Sequence, residues 1–133
     1  MRKLVYICIT VVLLCQGCKE SETATIEVVT SEEMQSLLSL DEVQVVDVRT
    51  PEERLTDGYL KASQNIDYNS PTFAEDIALL DKTKPVVLYC GAGGRSTKCA
   101  EKLKAAGFVK IYDLQGGISE WKHKGYPVEY TNN

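Results

Sequence analysis

A chain of 133 residues has room for one domain and little for a second. Its apolar share of 44% and charged share of 26% are ordinary for a soluble globular protein, with no internal repeat or low-complexity stretch. A net charge of −4 leaves no electrostatic footprint for a nucleic-acid partner, and a single histidine excludes a multi-histidine metal site.

The N-terminus differs from the rest. Met1-Arg2-Lys3 is basic, and Leu4 to Cys15 is an apolar run of 12 residues broken only by Thr10. Gln16-Gly17-Cys18 and the polar Lys19-Glu20-Ser21-Glu22 follow. A basic start, a short apolar core and a small residue before a cut site describe a secretory signal peptide. The run is too short to cross a bilayer, which needs about 20 apolar residues; the bland reading is a buried core helix. Gly17-Cys18 resembles a bacterial lipoprotein signal, in which the cysteine after the cut is lipidated. That pattern prefers leucine at the position held here by Cys15. The expectation is a signal over 1–17 cut before Cys18, a tether over 18–24 and a folded domain over 25–131. The mature protein would be exported to the periplasm or cell envelope and anchored to a membrane only through the lipid on Cys18. Plain secretion with a cut nearby is the competing reading. Cys8 and Cys15 leave with the signal, so Cys90 and Cys99 remain in the domain.

Strand and helix signals then alternate. Ile26–Val29 is a short strand. Thr30-Ser31-Glu32-Glu33 is a capping-box pattern opening a helix through Leu38. Val43–Val48 is a buried β-branched strand. Thr50 caps a second helix with Pro51 at its first position. Asn65–Asp67 is a brief strand, and Ser70-Pro71 repeats the cap-plus-proline signal for a helix ending near Asp81. Pro85–Tyr89 is the strongest strand signal and runs directly into Cys90. A helix from Arg95 to Ala106 follows, with Gly107 stopping it. Phe108–Leu114 is another strand, and a last short helix covers Ile118 to Lys124, closed by Gly125 and Pro127. The pattern predicts an α/β domain with a mostly parallel central sheet of about five strands and helices on both faces. Ligands of such sheets sit at the carboxyl ends of the strands, where Cys90 falls.

The loop Cys90-Gly91-Ala92-Gly93-Gly94-Arg95-Ser96 is built to hold an anion. Gly91, Gly93 and Gly94 permit backbone angles that other residues avoid, so successive N–H groups can turn inward as a nest. The next helix points its N-terminus at the same spot, and Arg95 adds a positive charge. All three favour the Cys90 thiolate over the thiol. No histidine base is needed, and the only one, His123, is distant in sequence. A thiolate that attacks a sulfane sulfur becomes a persulfide, whose terminal sulfur is again an anion held by the same donors. The result is a two-step cycle that uses no cofactor and no metal.

The chief competitor is phosphate chemistry. Tyrosine phosphatases also combine a cysteine, a loop of N–H groups and an arginine, with one residue more than the four that separate Cys90 from Arg95. The shorter loop makes a smaller cradle, suited to sulfur. Cys99, Ala100, Leu103 and Ala106 share an apolar helix face, so Cys99 reads as core; the sharper reading is a resolving thiol for Cys90 in a redox protein. A Cys90–Cys99 structural disulfide is a further alternative. Trp121 and Ile118 read as core and His123 as solvated.

These residues resemble the rhodanese-like family over nearly all of the chain after the signal. The loop is similar to its Cys-x-x-Gly-x-Arg-Ser site through Cys90, Gly93, Arg95 and Ser96. Val46 to Glu53 looks like its N-terminal strand-to-helix segment, and Leu114-Gln115-Gly116-Gly117-Ile118 with Trp121, Gly125 and Pro127 looks like its C-terminal segment. The resemblance implies a rhodanese-like fold and a thiosulfate-sulfurtransferase type of enzyme. In that reading Cys90 forms the persulfide, Arg95 acts with it, and Gly91, Ala92, Gly93, Gly94 and Ser96 bind the sulfur. The partners implied are a small anionic sulfur donor such as thiosulfate and a thiol or cyanide-like acceptor. A non-turnover persulfide-binding or sulfur-relay module docking a partner protein is the alternative. Asp47 and Arg49, at the end of the neighbouring strand, read as an ion pair anchoring loops, with substrate contact as the sharper reading. The chain departs from the family at Gly58-Tyr59-Leu60 and Ala62-Ser63, where Gly-His-Ile and Gly-Ala are usual.

Overall fold

The computed structural model describes residues 23–131. The signal-like segment, Cys18 and most of the proposed tether lie outside the described residues. Ten elements alternate: β1 (Thr25–Val29), α1 (Ser31–Leu38), β2 (Gln44–Asp47), α2 (Pro51–Asp57), β3 (Gln64–Asn65), α3 (Phe73–Ala78), β4 (Val86–Tyr89), α4 (Gly94–Ala105), β5 (Lys110–Leu114) and α5 (Gly117–His123). All strand pairs are parallel, in the order β1-β5-β4-β2-β3.

The period-two alternation of β4 divides the core. Val86 and Leu88 pack with Phe73 and Ile77 of α3 and with Ala100 and Leu103 of α4. Val87 and Tyr89 pack on the opposite face with Met34 of α1 and Ile118 and Trp121 of α5. Burial of both faces explains why this central parallel strand reads as an unbroken apolar run. Each fully buried valine or leucine contributes roughly 1.5–3 kcal/mol. The chain runs from β2 outward to β3, then crosses back to β4 on the other side of β2. That reversal leaves a crevice at the carboxyl ends of β2 and β4, the position where such sheets take ligands.

The expected capping box of Thr30 with Glu33 forms at the start of α1; Thr50, expected as a cap, goes further and forms a second box with Glu53 at the start of α2, with Pro51 in the first turn. Several boundaries differ from the sequence pattern; β3, for one, covers Gln64–Asn65 in place of Asn65–Asp67. α3 begins at Phe73, because Ser70 is used in a turn: its carbonyl accepts the Phe73 N–H and its hydroxyl accepts the Thr72 N–H. β5 begins at Lys110, because the Phe108 N–H still bonds the Leu103 carbonyl and belongs to the closing turn of α4. Ala106 is exposed at that C-terminus, so the buried stripe of α4 is Ser96, Cys99, Ala100 and Leu103.

Candidate active site

β4 delivers Cys90 to the crevice with the residue only 1% exposed. The chain then turns through Gly93, whose φ of +112° is a left-handed conformation that disfavours any side chain. This turn aims the Gly93 N–H at the Cys90 Sγ, 3.0 Å away. Gly91 and Gly94 do not adopt positive φ, contrary to the expectation for all three loop glycines. Gly94 is instead the first residue of α4, and Ala92 is exposed on the rim. Ser96, fully buried, brings its hydroxyl within 3.5 Å of the sulfur.

Burial pushes the Cys90 thiol up. The Ser96 hydroxyl and the backbone N–H groups of Ser96, Gly93 and Arg95 outweigh it, and the thiol lies below its ordinary value. Cys99 shows the opposite balance. It is buried in the core, and desolvation pushes its thiol up to about 12. Both cysteines are free, so no disulfide joins them. Iodoacetamide should therefore modify Cys90 and spare Cys99 in the native protein. The Cys90 rate should reach half its maximum below the ~8.5 of a free cysteine. Peptide mapping of the label across a pH series checks both outcomes.

The inward N–H groups depend on α5. Its Ile118 N–H donates to the Cys90 carbonyl at 2.9 Å and its Ser119 N–H to the Gly91 carbonyl at 3.0 Å. With these carbonyls tied to the helix, the loop leaves its donors facing the sulfur. Gly117 makes the approach possible: φ is +59°, and a Cβ there would lie 2.5 Å from the Cys90 carbonyl oxygen.

Arg95 is placed differently from the sequence expectation of a charge given directly to the thiol. Its Nη1 and Nη2 each donate to a Glu53 carboxylate oxygen at 2.6 Å. Those hydrogen bonds hold the Glu53 carboxyl down at about 2. The Arg95 guanidinium is raised first by Glu53 and only then by the charges of Cys90 and Asp67. Glu53 is the residue that sequence reasoning missed. It was legible as the third position of a capping box, but its reach to Arg95 follows from β2 lying beside β4.

Asp47 and Arg49 are both fully buried. Arg49 donates to both Asp47 oxygens, at 2.9 and 2.7 Å, and to the Gly58 carbonyl at 2.7 Å. The Tyr89 hydroxyl donates to Asp47 and accepts the Leu60 N–H. Arg54 binds the Ser63 hydroxyl and carbonyl. The network braces the rim over 58–63, with no hydrogen bond to Cys90. In that rim Ala62 holds φ at +60°, where the family pattern has glycine. His123 is exposed on α5. Among the described residues no cluster of three or more His, Cys, Asp or Glu could hold a metal, and no helix is long and apolar enough to cross a membrane.

A model of the rhodanese-like domain family matches residues 30–124, a span holding four of the strands and all five helices. An uncharacterized protein of Synechocystis is 32% identical over 117 residues, covering 85% of this chain and 62% of that one. The thiosulfate sulfurtransferase GlpE of Stutzerimonas stutzeri is 34% identical over 90 residues, covering 67% of this chain and 78% of that one. The crystal structure of a rhodanese-related protein from Thermoplasma volcanium matches with a TM-score of 0.70 at 28% identity, covering 79% of this chain and 99% of that one. The five-stranded parallel sheet, the Cys90 loop on its carboxyl edge and these matches agree: the chain belongs to the rhodanese-like domain family.

Proposed function

We propose that the domain is a sulfurtransferase that moves sulfane sulfur from a small anionic donor such as thiosulfate to a thiol or cyanide-like acceptor, through a persulfide on Cys90. The observation that carries this is the 3.0 Å contact from the Gly93 N–H to a sulfur whose thiol is lowered despite burial. The Cys90 thiolate attacks the outer sulfur of thiosulfate; the new S–S bond forms, the old one breaks, and sulfite leaves with the electron pair. The persulfide anion occupies the same ring of N–H groups. An acceptor nucleophile then takes the terminal sulfur, and the Cys90 thiolate departs. Arg95 stands beside this path, and the peptide donors of Gly91 through Ser96 hold the charge. The name of the Stutzerimonas stutzeri relative supports the reaction class.

Export and lipid anchoring at Cys18 belong to the same proposal, supported by the basic start, the apolar run and Gly17-Cys18. Intact-mass analysis of the protein from its host, before and after thiosulfate, tests both parts. The expected result is an acylated Cys18 at the mature N-terminus and a gain of one sulfur, mapped to Cys90, that cyanide removes as thiocyanate. No sulfur gain, or a gain at Cys99, would overturn the sulfurtransferase reading. Loading without turnover would favour the sulfur-relay module.

A further inference from the structure

The cation beside the thiol is outnumbered. Arg95 is 29% exposed at the loop, and both its terminal nitrogens are held by Glu53. Asp67 is a second carboxylate whose charge Arg95 feels. Glu53 reaches the loop itself: a Cβ on Gly91 would lie 3.5 Å from the Arg95 Nη2 and 3.9 Å from a Glu53 oxygen. An incoming donor at Cys90 therefore meets a guanidinium already paired with Glu53 and lying in the field of a second carboxylate, Asp67. A dianion is repelled by this rim more than a monoanion is, in proportion to its charge.

We propose that Glu53 is a positioning and specificity-determining residue, which holds Arg95 beside the loop and sets the site for singly charged sulfane donors, of the thiol-persulfide class R–S–S⁻, over dianionic thiosulfate. The proposal rests on the sulfurtransferase reading and narrows its donor. With a persulfide donor the Cys90 thiolate attacks the terminal sulfur, the donor's S–S bond breaks, and R–S⁻ leaves with the pair. One S–S bond is formed and one is lost, with no further oxidant or reductant.

Glu53 lends itself to a clean test, because Glu53→Gln keeps the features that fold α2. The Glu53 N–H still donates to the Thr50 hydroxyl, and an amide oxygen can still accept the Thr50 N–H and one Arg95 bond. The negative charge is removed, together with one of the two Arg95 hydrogen bonds. Steady-state transfer to cyanide is measured for the full chain with two donors, thiosulfate and the persulfide of 2-mercaptoethanol. In Glu53→Gln the KM for thiosulfate should fall roughly tenfold, the factor that relief of ~1.4 kcal/mol of repulsion gives. Its kcat should change little, and the KM for the monoanionic persulfide should move by less than about threefold. A second measurement needs no variant: in the wild-type protein, added salt should lower the thiosulfate KM if the rim repels the dianion. Equal KM changes for both donors, or a thiosulfate KM that rises with the substitution or with salt, would overturn the proposal. If neither donor places sulfur on Cys90, the sulfurtransferase reading itself fails; loading by both with unchanged selectivity removes the role of Glu53 alone.

Discussion

Arg49→Ala should destabilise the domain by about 3–5 kcal/mol, the range measured when one partner of a buried ion pair is removed. Asp47 is fully buried, and its two oxygens take three hydrogen bonds from Arg49, counting the backbone N–H. Without that guanidinium the carboxylate keeps the backbone N–H of residue 49 at 3.1 Å, the Tyr89 hydroxyl at 2.9 Å and a 3.4 Å contact with the half-buried Arg54. The Gly58 carbonyl loses its Arg49 donor in the same step. A loss of this size is a large fraction of the 5–15 kcal/mol that holds a typical domain together. The urea midpoint of Arg49→Ala against wild type measures it. A loss under about 1 kcal/mol would equate the pair with an exposed one and sink the anchoring role. The donor KM of the fraction still folded should stay within a few-fold of wild type, because Arg49 braces the 58–63 rim and does not reach the sulfur. A large KM rise would favour substrate contact instead.

What was legible in the sequence is what is local. The capping box of Thr30 with Glu33 and the Thr50 cap are legible because such bonds close within three residues. β4 could be read because burial on both faces leaves an apolar run, and the Cys90 loop because its donors come from the next few residues. The boundaries of α3 and β5 are not legible, because turn hydrogen bonds at Ser70 and Phe108 override the propensity of the stretch. The longer misses share a cause. Glu53 and Arg95 lie 42 residues apart, and only the adjacency of β2 and β4 brings them together. The sequence showed the arginine and the carboxylate but not the strand order that pairs them, so Arg95 was read as a free charge. Ala62 was legible as a departure from the family pattern, whereas its left-handed backbone is a consequence of the tight return into β3.

Gly117→Ala should slow sulfur transfer about a hundredfold in a domain that still folds. An alanine at φ +59° carries a left-handed penalty of about 1–2 kcal/mol. The steric term is worse, because the new Cβ would meet the Cys90 carbonyl oxygen at 2.5 Å and the Gly91 carbonyl oxygen at 2.6 Å. Both are backbone atoms, so no side chain can rotate away; either α5 or the loop must retreat. A retreat lengthens the Ile118 and Ser119 hydrogen bonds that hold those two carbonyls. Once released, the carbonyls can turn toward the sulfur and oppose the Gly93 N–H. A misplacement of about 1 Å at reacting groups lowers rates by roughly a hundredfold, and that is the expected fall in persulfide formation. The accompanying stability loss should be about 2–4 kcal/mol. Gly125→Ala separates strain from collision. That glycine also has positive φ, +80°, but open space where a Cβ would stand, so its substitution should destabilise modestly and leave the rate of sulfur loading unchanged. Rates of thiosulfate loading by intact mass, with urea midpoints for both variants, decide the matter. Equal effects of the two substitutions would show that α5 does not set the donor geometry around Cys90. A fall confined to Gly117→Ala would place the C-terminal helix among the parts that make the thiolate.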